Sequence, residues 1–82
     1  MTVSRDAWLE RFAEALGLPT PSSEEVEALL ALAGTAAHAS ERTAAPLSTW
    51  LAGRAGIDAH EAHAIADAMA KALADDADDA SG

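Results

Sequence analysis

Apolar side chains recur every three or four residues along most of this chain, and no stretch alternates apolar and polar positions as a half-buried strand would. The clearest case is residues 4 to 16, where Trp8, Phe12 and Leu16 are spaced by four. This spacing predicts an amphipathic helix with one apolar side. Gly17 follows the last apolar residue, as expected of a residue that ends a helix.

Three further helices are predicted in the same way. Ser22 with Glu25, and Asp58 with Glu61, have the spacing of a capping box, in which two residues cap the first turn reciprocally. Pro46 prevents helix 2 from continuing and suits the first turn of helix 3. The predicted helices run from about Ser23 to about Ser40, from Ala45 or Pro46 to between Gly53 and Gly56, and from about Ala59 to Ala74.

The apolar side of each predicted helix indicates which residues face the core. Gly34 lies inside helix 2, where glycine costs roughly 1 kcal/mol of helix propensity, so we expect a closely approaching neighbour or a locally loose helix. The residues expected to face inward are Val26, Leu29, Leu30, Ala33 and Ala37 in helix 2, Leu47, Trp50, Leu51 and Ala55 in helix 3, and Ala62, Ile65, Ala66, Met69 and Leu73 in helix 4.

These patterns predict an all-α fold, a small antiparallel four-helix bundle with short connections. Residues 1–74 would form a single helical domain. Residues 75–82 are acidic and alanine-rich, and we expect them to form a disordered tail. Because much of the 50% hydrophobic content is alanine, the core is thin, and a protein partner or self-association would add burial.

The net charge of −9 argues against nucleic acid and against anionic membrane surfaces, since both repel an acidic protein. The chain has no cysteine, which excludes disulfides, thiol nucleophiles and cysteine metal sites. No apolar run approaches the roughly 20 residues of a membrane helix. We therefore expect a soluble, cytoplasmic protein that binds neither nucleic acid nor membrane.

The candidate binding residues cluster between helices 2 and 3. His38 and Arg42 are spaced by four near the end of helix 2, where cations neutralise the last carbonyl groups. Alternatively, they form with Ser48 and Thr49 a polar cluster that binds an anionic ligand or a partner's carboxylates, aided by the N–H groups at the start of helix 3.

Trp50 has two interpretations. A tryptophan in so small a protein is most often a core residue, and the same holds for Trp8. Arg54 follows Trp50 by one turn, however, so a cation–π contact is available. A tryptophan beside an arginine is also typical of an interface anchor.

No catalytic or metal-binding site is predicted, and no cofactor is expected. Ser48 and His38 lack the glycine-rich turn and the strand that present a nucleophilic serine. His60, His63 and Asp67 share one side of helix 4, but metal sites in bundles collect ligands from several helices. A solvated face with a His63–Asp67 pair is the simpler interpretation.

The central stretch resembles a small actinobacterial domain family of uncharacterised function. The residues that carry the resemblance are Ala37-His38, Arg42, Ala45-Pro46-Leu47-Ser48, Trp50-Leu51 and Gly53. The segments 8–12 and 15–17 are similar to the start of the family, so the resemblance covers roughly residues 7 to 74. Members occur alone or attached to proteins resembling the molybdenum cofactor guanylyltransferase, which joins a guanine nucleotide to molybdopterin.

The resemblance implies a pathway and a partner, and no activity. The chain contains nothing like the transferase's glycine-rich nucleotide loop. The expected function is a non-enzymatic helical protein-interaction or accessory module in molybdenum cofactor maturation, whose partner is a guanylyltransferase-like protein or a second copy of the chain. The alternatives are a small-ligand (nucleotide or pterin) or metal-binding protein, or a structural homodimer.

Overall fold

Four α-helices make up this protein in the computed structural model, which describes the backbone of residues 3–81 and the side chains of residues 3–76. The helices are α1 (Arg5–Leu16), α2 (Ser23–Ala39), α3 (Ala44–Ala55) and α4 (Ala59–Ser81). No strand occurs among the residues described. The predicted all-α fold is thereby confirmed, whereas the antiparallel bundle arrangement stays a prediction.

Local side-chain chemistry sets the first two helices. The Ser4 hydroxyl accepts a hydrogen bond from the Ala7 N–H at 3.1 Å and caps α1. At the other end Gly17 has φ 73°, the left-handed conformation that glycine adopts without strain. The predicted capping box of α2 is present: the Glu25 N–H donates to Ser22 Oγ at 3.1 Å, and the Ser22 N–H donates to Glu25 Oε1 at 2.9 Å.

The start of α4 differs in detail from the prediction. The carboxylate of Asp58 accepts a hydrogen bond from the His60 N–H at 2.7 Å, so Asp58 caps the first turn. The reciprocal contact expected from Glu61 is not among the hydrogen bonds of the described residues.

The helix α4 extends to Ser81, past the end predicted at Ala74. Alanine is the best helix former, and no glycine or proline interrupts the chain between Ala74 and Gly82. The backbone of residues 75–81 thus belongs to α4, and the side chains beyond residue 76 lie outside the described residues. The expected disorder of residues 75–82 stays a prediction.

The small core is organised around α2, which packs closely against both α3 and α4. Four residues are buried, with exposed fractions of 4% to 7%: Ala13, Ala28, Leu32 and Ala62. Three of them are alanines, which bring neighbouring helices close but bury little apolar area. The side of α3 that is half-buried consists of Ala44, Ala45, Ser48, Thr49 and Ala52.

The large apolar residues expected to face inward are mostly exposed, and the prediction was wrong for them. In α1 the residues drawn toward the other helices are Ala13, which is buried, and Leu9, which is half-buried. The helices contact one another through small side chains, so the large apolar side chains on adjacent sides of each helix remain exposed. Exposed by 51% to 64% are Trp8, Phe12, Leu16, Leu30, Leu47, Trp50, Leu51, Ile65, Met69 and Leu73.

The molecule is consequently more extended than a closed domain of its length. Its radius of gyration is 15.1 Å, against about 12 Å expected for 82 residues. The principal extents of 51 × 30 × 18 Å describe a long, flat arrangement.

Gly34 lies in the interior of α2 without a close neighbour. A Cβ built at this position would meet nothing within 4 Å. Of the two explanations considered for this glycine, close approach of another helix is therefore wrong.

We predict that Gly34→Ala stabilises the protein by about 0.5–1 kcal/mol, because alanine restricts the unfolded chain and fits the open space. The matched control, Gly17→Ala, should destabilise the protein by about 1–2 kcal/mol, since alanine is strained at φ 73°. Urea unfolding at one fixed protein concentration measures both changes. Destabilisation by Gly34→Ala would contradict the open space described at this glycine.

Candidate functional site

The predicted polar cluster lies at the corner where α2 turns into α3. His38 is in the last turn of α2 and is exposed. Arg42 follows in a tight turn, in which the Arg42 carbonyl accepts a hydrogen bond from the Ala45 N–H at 3.1 Å. Its guanidinium is exposed and forms no ion pair within the part of the chain whose side chains are described. Both side chains are thus available to a binding partner.

Trp50 and Arg54 form the one direct contact between predicted site residues. The Arg54 guanidinium carbon lies 5.3 Å from the centre of the Trp50 ring, a cation–π arrangement. The side chain of Trp50 is 62% exposed, so the interpretation of Trp50 as a core residue was wrong. The small residues of α3 pack against α2, and Trp50 and Arg54 project from the outer side.

Ser48 is separated from this pair. It is half-buried and lines an apolar groove of about 260 Å³ between α3 and α4. We call this surface the α3–α4 groove; its residues are Leu32, Ser48, Leu51, Ala52, Ile57, Ala62, Ile65, Ala66 and Met69. No hydrogen bond joins Ser48 to His38 among the described residues.

A polar contact that was not predicted connects α2 to α4. The Thr35 hydroxyl donates to Asp67 Oδ1 at 2.9 Å, and the site is partly buried. The other carboxylate oxygen of Asp67 lies 3.3 Å from His63 Nε2. The His63–Asp67 spacing indicated the second contact, but no local pattern could indicate Thr35, which is 32 residues away.

The histidines of α4 do not converge on a common ligand. His60 Nδ1 lies 3.5 Å from the carboxylate of Asp58, whereas His63 pairs with Asp67. Across residues 3–76, no three side chains of the metal-binding types come together.

A second pocket, of about 350 Å³, lies between α1 and the first half of α2. Leu9, Val26 and Leu30 are among its apolar residues. Its cation, Arg5, is already paired with Asp6 at 3.2 Å. The volume suits a small ligand, but the available charge is partly neutralised.

We predict that Thr35→Val destabilises the protein by about 1–2 kcal/mol, because it removes an interhelical hydrogen bond to a carboxylate while keeping the side-chain shape. Thr49→Val is the matched control, since the Thr49 hydroxyl donates within α3, to the Pro46 carbonyl at 2.8 Å. Thermal unfolding at matched concentration compares the two. Equal losses of stability would show that the Thr35–Asp67 bond makes no particular contribution.

None of the helices, over the residues described, combines the length and the apolar character needed to cross a membrane.

The chain belongs to the family described as a domain of unknown function (DUF6457), whose model matches residues 2–81. This confirms that the protein is a member of an uncharacterised domain family. Neither the curated proteins nor the solved structures include a match to the chain.

Proposed function

We propose that this protein is a non-enzymatic helical interaction module that binds a protein partner through the outer side of α3 together with the corner between α2 and α3 that precedes it. One observation carries the proposal: Trp50 is 62% exposed on the outer side of α3, with Arg54 held over its ring. Leaving a large aromatic side chain in water is unfavourable, and burying it against another protein removes that cost.

The Trp50–Arg54 pair has the properties of an interface anchor. Tryptophan and arginine are enriched among the residues that contribute most to protein–protein binding. Because the guanidinium already rests on the ring, less side-chain freedom is lost when a partner covers both. The Trp50–Arg54 pair is therefore preorganised for binding in the free protein.

The cations along this surface indicate the chemistry of the partner. The chain has five lysines and arginines against fourteen acidic residues. Two of the five lie here, Arg42 before the start of α3 and Arg54 in its last turn. His38 adds a nitrogen-bearing side chain at the Arg42 end of the surface. An arginine presents a planar fork that pairs with carboxylates. A partner with an acidic rim around an apolar depression fits this surface best.

The resemblance of the central stretch supplies the candidate partner, a molybdenum cofactor guanylyltransferase-like protein. In this proposal the module is an accessory to maturation of the cofactor to its guanine dinucleotide form, and the chemistry belongs to the partner. The small-ligand alternative has weaker support, because the cation in the α1–α2 pocket is already paired with Asp6.

We predict that Trp50→Ala weakens binding to the purified guanylyltransferase-like protein of the same organism by about 30-fold, the loss of roughly 2 kcal/mol typical of an anchor residue. Arg42→Ala should weaken it about tenfold. Calorimetric titration measures both dissociation constants.

The control is Lys71→Ala, which removes a cation from an exposed position of α4 and should leave the dissociation constant unchanged. A wild-type protein that does not bind, or binding that all three substitutions leave unaltered, would overturn the proposal for this partner and this corner.

A further inference from the structure

The chain exposes more surface than a folded monomer of its mass. Its accessible surface is 6417 Å², whereas a folded monomer of 8.4 kDa exposes about 4,600 Å². The excess is about 1,800 Å², and twelve large apolar residues among those described are more than half exposed. Large apolar surfaces that stay exposed mark places that another molecule covers.

One such surface is the outer side of α1, which we call the α1 stripe and define as Trp8, Phe12 and Leu16. The rings of Trp8 and Phe12 stack at a centroid distance of 6.1 Å and an interplanar angle of 22°. All three residues are more than half exposed. They are spaced by four, so they form a row about 12 Å long that is inclined to the helix axis.

The second surface is the α3–α4 groove. Its lining includes the buried Leu32 of α2, the exposed Leu51 of α3 and the exposed Ile65 of α4. Along α4, the exposed residues Ile65, Met69 and Leu73 form a row with the same spacing of four. A helix that presents an apolar row to an apolar groove is a common recognition mode.

The helix α1 is only loosely held by its own chain. Close helix packing within the described residues involves α2 with α3 and α4, and not α1. The connector from α1 to α2 contains Pro19 and Pro21 and begins at Gly17, which directs the chain away from the helix axis. Exchange of a terminal element that its own chain holds loosely is a low-cost route to a dimer.

The charges beside the two surfaces are complementary. Arg11 borders the α1 stripe and lines the same apolar patch. Glu61 lies one turn before Ile65, and Asp76 one turn after Leu73, so carboxylates stand at both ends of the α4 row. If the α1 stripe docked in the groove, Arg11 would approach a carboxylate whether α1 ran parallel or antiparallel to α4.

We propose that a second copy of this chain covers these surfaces: the α1 stripe of each copy occupies the α3–α4 groove of the other, in a two-fold symmetric dimer. The interfaces of obligate homodimers bury about 2,000–5,000 Å² in total, or about 1,000–2,500 Å² per chain, and the exposed excess of the whole chain is of this order. The inference goes beyond the proposed function, since it uses a different surface from Trp50 and Arg54.

The first test is the mass of the full-length chain in solution, measured by light scattering over a range of concentrations. We expect twice the monomer mass of 8.4 kDa for the wild type. Phe12→Glu and Met69→Glu should each reduce the mass to that of the monomer. Ala64→Glu, which adds the same charge at an exposed position of α4 outside the groove, should remain dimeric. A wild type that stays monomeric would overturn the inference.

The second test identifies which surfaces meet, and it does not depend on destabilising variants. The chain has no cysteine, so any disulfide formed is an introduced one. Ala15→Cys beside the α1 stripe and Met69→Cys in the groove are mixed and oxidised. We expect the crosslinked dimer to contain one chain of each kind. Crosslinking confined to Met69→Cys with itself would overturn the exchange of α1.

The two proposals fail separately. A monomer that binds the guanylyltransferase-like protein through Trp50 overturns the dimer and leaves the proposed function standing. A dimer with the predicted crosslink that binds no guanylyltransferase-like protein overturns the proposed function and leaves the dimer standing.

Discussion

The structure depends on one constraint, the use of alanine at the places where its helices meet. Ala28 of α2 and Ala62 of α4 are buried, and α3 offers α2 a side of alanine and small hydroxyl residues. Such contacts bring backbones close but remove little apolar area from water, at about 25 cal/mol per Å². The large apolar side chains consequently lie beside the contacts rather than within them, and their burial is left to another molecule.

Contacts between small residues also fix the relative positions of the helices only weakly, because few large side chains interlock. The Thr35–Asp67 hydrogen bond supplies a directional contact between α2 and α4, and it is satisfied only when the two residues are opposite each other. His63 holds the same carboxylate from within α4. In this small core, a polar contact between two helices contributes specificity that large core residues usually provide.

How much could be predicted from the sequence follows from the range of each interaction. The sequence pattern located the features that depend on neighbours within four residues. These are the Ser22–Glu25 capping box, the turns at Gly17 and Gly56, and the early position of Pro46 in α3. The direction of the apolar rows was predicted wrongly for their large side chains, whereas Ala62, also expected to face inward, is buried. An apolar row shows which side of a helix avoids water, but not whether its own chain or another molecule covers that side. For this reason the core interpretation of Trp50 was wrong, whereas its spacing to Arg54 correctly indicated the cation–π contact.

The two proposed surfaces meet on α3. Trp50 lies on its outer side and Leu51, the next residue, stands at the α3–α4 groove. A helix of twelve residues is short for independent stability, so its order depends on what packs against it. A second copy seated in the groove would hold α3 through Leu51 and thereby reduce the freedom that a partner at Trp50 must otherwise remove. Dimer formation and partner binding would then favour each other, because both depend on the order of α3.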